Sequence, residues 1–379
     1  MASNSSPGSR GGKGAKLTRI GVLTGGGDCP GLNAVIRAVT KPALSGGLEV
    51  VGIEDGYLGL IENRARLLSY LDVSGILTAG GTILGSCNRA NPAEYAVPDG
   101  QGGWQTLDVR DRVVEHCRDL GIGALVVIGG DGTMSGAAEL IDRGLNIVGV
   151  PKTIDNDLWA TEVTFGYDTA VRTAAEAIDK VHTTASSHHR VMVVELMGRY
   201  AGWLALGAGV ASGADVILIP EIPFTMGKVA EKCLSRHRGG KGFTIIAVGE
   251  GATPVGGEMV VDQVVENSPD PIRLGGIGKY VADKLEEMTG LESRAIVLGH
   301  VQRGGTPTPH DRILATEFGY HAFELLMSGR TGRLVVRQKG EITSVPISEV
   351  AGKVRTVPED SSLVRAARAV GTSFGDEQS

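Results

Sequence analysis

The chain has 379 residues, 42% of them hydrophobic, and a formal charge of −6, which is enough apolar mass for two domains of ordinary size. The acidic balance excludes a polyanion-binding surface as the main activity, so no nucleic-acid partner is expected, though a local basic pocket remains compatible with it. No segment approaches the roughly twenty uninterrupted apolar residues of a spanning helix, so no membrane partner is expected either.

In chain order, residues 1–17 read as a disordered tail: the stretch is rich in Ser and Gly, carries three basic residues up to Lys16 and lacks an apolar signal core. The run 20–24 predicts a buried strand, and Gly25-Gly26-Gly27-Asp28-Cys29-Pro30-Gly31 turns the chain into a helix over 32–43. Further strand-length apolar runs fall at 50–53, 124–128, 146–150, 191–196, 216–219, 243–248 and 295–298. Helical patterns at 170–182 and 277–288 lie between some of them, which favours parallel βαβ units and an α/β fold. The strands from 191 to 248 predict a second sheet, and an interdomain cleft is expected near residues 155–166. The cysteines Cys29, Cys87, Cys117 and Cys233 are far apart and form no ligand cluster, which suits a reducing, cytoplasmic setting.

Ligands of open parallel sheets bind beyond the carboxyl ends of strands, and the glycines and carboxylates fall there. Gly25-Gly26-Gly27-Asp28 is either a phosphate cradle at a helix N-terminus or a tight turn with no ligand; it lacks the Lys-Ser/Thr ending of a P-loop. Gly129-Gly130-Asp131-Gly132-Thr133 follows a β-branched run and favours polyphosphate binding over an Asx-type helix cap. Lys152-Thr153-Ile154-Asp155-Asn156-Asp157 adds carboxylates able to orient a metal or accept a hydroxyl proton. Together the two motifs suit Mg²⁺-assisted phosphoryl transfer. NAD and lipid kinases share the first motif. Downstream, His188-His189-Arg190, Met197-Gly198-Arg199, Gly249-Glu250 and the stretch 298–305, with His300 and Arg303, set cations or carboxylates beside strands.

In these motifs, from about Ile20 to about Gly332, the sequence resembles the 6-phosphofructokinase family. The resemblance implies two Rossmann-like three-layer domains with mostly parallel sheets and an interdomain active-site cleft. One domain spans 18–165 plus about 300–350 and binds nucleotide; the other spans 166–299 and binds sugar phosphate; residues 351–379 form a C-terminal helix and tail. It implies ATP-dependent phosphorylation of fructose 6-phosphate at its 1-hydroxyl with Mg²⁺, in glycolysis. Asp155 would be the base, Asp131 the Mg²⁺ carboxylate, and Arg199 the cation that meets charge on the transferring group. Gly27, Arg89, Gly130, Gly132 and Thr133 match nucleotide positions. Thr153, Met197, Gly198 and Glu250 match sugar contacts. Arg190, Arg294, His300 and Arg303 match the 6-phosphate clamp, with Arg190 and Arg294 reaching across from a neighbouring subunit of a homo-oligomer, dimer or tetramer.

The family's nucleotide arginine usually stands one residue before Arg89. Lys152 is typical of the diphosphate-dependent and mixed-substrate branch, whereas Gly132 is the ATP-type residue, since an aspartate there would crowd and repel the α-phosphate. A diphosphate-dependent phosphotransferase and a non-catalytic sugar-phosphate sensor are the alternatives. Arg37, Arg64, Lys241 and Asp215 match parts of the bacterial effector pocket, but His182 and Gly239 replace its basic residues, so no particular effector is expected. Adjacent strand positions face opposite ways, so His188 and His189 are read as structural; Trp104, Trp159 and Trp203 are read as packing residues.

Overall fold

The computed structural model describes residues 17–264 and 272–377; residues 1–16 of the expected tail, and the last two of the chain, lie outside them. The chain begins with β1 (Arg19–Thr24), α1 (Leu32–Ser45), β2 (Glu49–Ile53), α2 (Tyr57–Glu62) and β3 (Ala65–Leu67). An outlying hairpin, β4 (Tyr95–Pro98) and β5 (Trp104–Leu107), precedes α3 (Arg110–Asp119), β6 (Ala124–Gly129), α4 (Asp131–Ile141) and β7 (Ile147–Pro151). The long α5 (Tyr167–His188) leads to β8 (Val191–Leu196), α6 (Trp203–Ala211), β9 (Val216–Leu218), α7 (Met226–Arg238) and β10 (Thr244–Gly249). After the antiparallel pair β11 (Val261–Val264) and β12 (Ile272–Leu274) come α8 (Ile277–Thr289) and β13 (Ser293–Val297). The chain ends through α9 (Pro309–Met327), β14 (Arg333–Gln338), β15 (Glu341–Pro346) and α10 (Ser362–Ala369).

Two main sheets result. The larger runs β15-β14-β7-β6-β1-β2-β3, parallel at its centre and antiparallel at both edges. The smaller runs β13-β8-β10-β9 and is parallel throughout. Every residue of β6, ALVVIG, is buried, as it must be for a central strand covered on both faces. α1 and α9 cover one face of the large sheet with Leu32, Val35, Ile36, Leu314 and Phe318; α2, α3 and α4 cover the other with Leu60, Val113 and Met134. The small sheet is likewise covered, by α5, α6 and α10 on one face and by α7 and α8 on the other.

α5 runs beyond the expected 170–182. Its buried Ala174, Ile178, Val181 and Ala185 continue one helical stripe through a Thr/Ser-rich stretch of poor propensity, so packing prolongs the helix. His188 therefore ends a helix, and His189, at φ 56°, is its left-handed cap. The two histidines do not share a strand, which corrects the geometric ground on which they were separated.

Candidate active site

The chemistry-bearing turns follow the carboxyl ends of six parallel strands: Gly25 to Asp28 after β1, Gly130 to Thr133 after β6, Lys152 to Asp157 after β7, Met197 to Arg199 after β8, Glu250 after β10, and His300 and Arg303 after β13. Between the two sheets they surround a cleft of about 730 Å³. Gly27, Asp155, Met197, Arg199, Glu250, His300 and Arg303 line it. So do Asp28, Thr82, Ser86, Asn88, Asp157, Tyr200 and Leu274, which the sequence reading did not assign to the site. Of these, Asp157 carried a legible signal as the second carboxylate of its motif, and Asp28 as the acid that closes the first glycine turn.

Around the two glycine turns the cleft is built largely from backbone. Gly25 N donates to Ile128 O at 2.8 Å and Gly26 N to Cys87 O at 3.2 Å, which seats the first glycine turn on β6 and on the loop before Asn88. Thr133 is buried beneath both glycine turns, and Tyr57 Oη donates to its carbonyl at 2.7 Å. Asp131 and Gly132 open α4; a Cβ on Gly132 would meet nothing within 4 Å, so the space beside it is empty. Asp131 Oδ1 accepts the Gly352 amide at 2.9 Å instead of capping its own helix. Burial raises its pKa, and that hydrogen bond partly offsets the rise. The buried Lys152 ammonium donates to Gly27 O.

Asp155 sits half-buried in a loop fixed by its own neighbours. Asp155 N donates to Thr153 Oγ1 at 3.1 Å, and Thr164 Oγ1 donates to Thr153 O at 2.7 Å. Asp155 Oδ1 is sealed from solvent and has no hydrogen-bond partner. Burial raises the Asp155 pKa against the pull of Arg303 and Lys152. Asp157 is pushed up to about 7 by burial and then by the charge of Asp155. Glu250 is pushed up to about 7 by the same two causes. A carboxylate cluster of this kind calls for cations. Arg199 lies with its guanidinium 5.0 Å from the Tyr200 ring centre.

The candidates do not all meet. Arg303 Nη1 donates to Asp28 O at 3.3 Å, so this arginine reaches the first glycine turn from across the cleft. Arg89 is exposed and does not line the cleft; Asn88, one residue earlier, does. Of the expected cleft region 155–166, Leu158 and Phe165 are buried in core clusters, so only its first residues reach the opening. Arg190 and Arg294 lie elsewhere, both ion-paired to Glu292, at 2.8 and 2.6 Å. Arg294 belongs to β13, the edge strand of the small sheet, and lines a separate groove of about 710 Å³ against α8.

The phosphofructokinase family profile matches residues 19–326. The chain belongs to the phosphofructokinase family. It is 51% identical to ATP-dependent 6-phosphofructokinase 2 of Clostridium perfringens over 95% of this chain and 99% of that one. It is also 49% identical to a pyrophosphate–fructose 6-phosphate 1-phosphotransferase of Amycolatopsis methanolica, covering 90% of this chain and 97% of the other. Among solved structures, phosphofructokinase from Saccharomyces cerevisiae superposes with a TM-score of 0.73 at 32% identity, over 94% of this chain; the chain spans 46% of that larger one. The fold is thus the two-domain, Rossmann-like architecture of this family, with the cleft between its halves.

Proposed function

We propose that the protein is an ATP-dependent 6-phosphofructokinase of glycolysis, converting fructose 6-phosphate to fructose 1,6-bisphosphate. One observation carries the reading: Asp155, a carboxylate whose Oδ1 has no hydrogen-bond partner, lines a cleft with a glycine-lined donor side and a cationic acceptor side. Asp155 accepts the proton of the sugar 1-hydroxyl as that oxygen bonds to the γ-phosphorus; the bond from phosphorus to the bridging oxygen breaks, and ADP leaves with the electron pair. Arg199 meets the charge on the transferring group, and Glu250, with Met197, Gly198 and Thr153, orients the sugar. Thr153 serves largely by holding the Asp155 amide.

The donor set suits Mg²⁺, since Asp131 and Asp157 offer hard carboxylate oxygens whose burial and mutual repulsion a divalent cation relieves. Asp131 would hold the ion, which supplies charge neutralisation on the donor phosphates. Gly27, Gly130, Gly132 and Thr133 leave backbone amides open to those phosphates. His300 and Arg303 take the 6-phosphate together with Arg190 and Arg294 of a neighbouring copy, which makes the enzyme a homo-oligomer with shared sites. The setting is cytoplasmic, in keeping with four cysteines that are all unpaired. Among the described residues, no helix is long and apolar enough to cross a membrane.

Diphosphate is the second donor reading, favoured by the Lys152 ammonium at the donor turn. A coupled assay with fructose 6-phosphate, comparing ATP with diphosphate, decides between them. Faster turnover with ATP is expected. Equal or faster rates with diphosphate overturn the choice of donor, and no product with either overturns the function.

A further inference from the structure

Behind the cleft, one short stretch, Gly352 to Val357, touches both acidic motifs and the opposite half of the molecule. It follows β15 of the large sheet and leads into α10 on the small one. Gly352 N holds Asp131 Oδ1 at 2.9 Å. Val354 bridges Leu158. Arg355 N donates to Asp157 O at 2.7 Å, and Arg355 Nη1 to Asn156 O at 2.9 Å. The Arg355 guanidinium lies 4.0 Å from the Trp203 ring centre, and Trp203 Nε1 donates back to Arg355 O at 3.0 Å. Val357 N donates at 2.7 Å to Glu221, whose carboxylate also takes the Gly202 amide at 3.0 Å.

Asn156, between the two carboxylates, has φ 52°. A buried residue in that left-handed region persists only where its surroundings over-determine it. Asn156 Oδ1 is held by Thr164 N at 3.0 Å from one side, and its carbonyl by Arg355 from the other. Trp203 belongs to the opposite half of the molecule, so the arginine is itself clamped across the two halves.

We propose that Arg355 is a positioning residue for phosphoryl transfer: stacked on Trp203, it fixes the left-handed Asn156 and thereby the direction in which Asp155 presents its carboxylate. Arg355 is not among the residues that line the cleft. Its effect falls on kcat, because a misdirected base impairs the chemical step while the walls that bind both substrates stay in place. The proposal rests on the phosphofructokinase reading given above.

The test is steady-state kinetics of the full chain with ATP and fructose 6-phosphate, on Arg355→Met, Arg355→Lys and Trp203→Phe. Arg355→Met should lower kcat about 30-fold, or about 2 kcal/mol, with both KM values within about threefold. Arg355→Lys, which keeps a donor for Asn156 O, should recover part of that loss, and Trp203→Phe should lower kcat by less than Arg355→Met. If Arg355→Met does not fold, the other two carry the same comparison, since both preserve most of the packing. Active wild-type enzyme with kcat unchanged in folded variants, or with the loss confined to KM, overturns the positioning role alone. Absence of wild-type turnover with either donor overturns the underlying reading, and this proposal with it.

Discussion

Lys152 donates a hydrogen bond from its ammonium to the carbonyl oxygen of Gly27, so the loop that carries Asp155 is tied to the glycine turn that follows β1. Arg303 reinforces the same turn at Asp28 O, and a Cβ on Gly27 would come within 2.8 Å of its Nη1. Two cations thus hold one turn.

Replacing Lys152 by Met tests that arrangement. Charge-assisted hydrogen bonds contribute roughly 1.5–3 kcal/mol, so kcat/KM should fall about ten- to a hundredfold with ATP and with diphosphate alike. Thermal stability should change little, because burying the ammonium opposes what its bond contributes. Kinetics with both donors check this; a loss confined to diphosphate would show that Lys152 serves that donor alone.

Gly132→Asp addresses donor choice directly. The position lies in the first turn of α4 beside empty space, so an aspartate fits there without a backbone clash and suits the helix N-terminus. The chain should fold normally while its new carboxylate repels the α-phosphate, raising the KM for ATP by about tenfold or more and leaving diphosphate kinetics nearly intact. Unchanged ATP kinetics would refute the steric argument.

What the sequence disclosed follows from which contacts are local. The run 20–24 with its glycine turn and the helix from Leu32 were legible because strand, turn and helix signals sit side by side, and α1 begins at Leu32 as expected. The acidic motifs were legible because their turns follow strands directly. Tyr200 and Ser86 line the cleft through tertiary placement that no local pattern carries, whereas Asn88 stands where the family usually has its nucleotide arginine. The end of α5 was hidden because packing overrides the poor propensity of Thr183 and Ser187. The pairing of Arg355 with Asn156, far apart in sequence, had no local signal at all.

Shared sites are tested by mixing. Arg190 and Arg294 stand together on Glu292 beside an edge strand, not in the cleft of their own chain. Asp155→Asn should lower kcat by about 10²- to 10⁴-fold, and Arg294→Ala should raise the KM for fructose 6-phosphate with that for ATP unchanged. In randomly mixed oligomers of the two, a site with both native residues arises with a chance of about one quarter. Co-expression at low fructose 6-phosphate should therefore restore about a quarter of wild-type activity; no recovery would place each complete site within one chain.

The carboxylate cluster also makes ligand-free stability depend on pH in a direction opposite to the usual surface acid. Asp157 and Glu250 are pushed up to about 7 from ordinary values of 3.8 and 4.5, so the folded protein binds their protons more tightly than the unfolded chain does. Their contribution is full below about pH 4 and is lost as pH rises through about 7. Both groups face an open cleft, which screens part of the effect, and a loss on the order of 2 kcal/mol between pH 5 and 8 is expected. The double variant Asp157→Asn, Glu250→Gln should lack the part of this dependence that these two groups contribute and be the more stable protein at pH 8, while turnover collapses. Urea unfolding of both proteins at pH 5, 6.5 and 8, without substrate or Mg²⁺, measures the difference. A wild type that gains stability relative to the variant as pH rises would show that the folded state holds these carboxylates ionised.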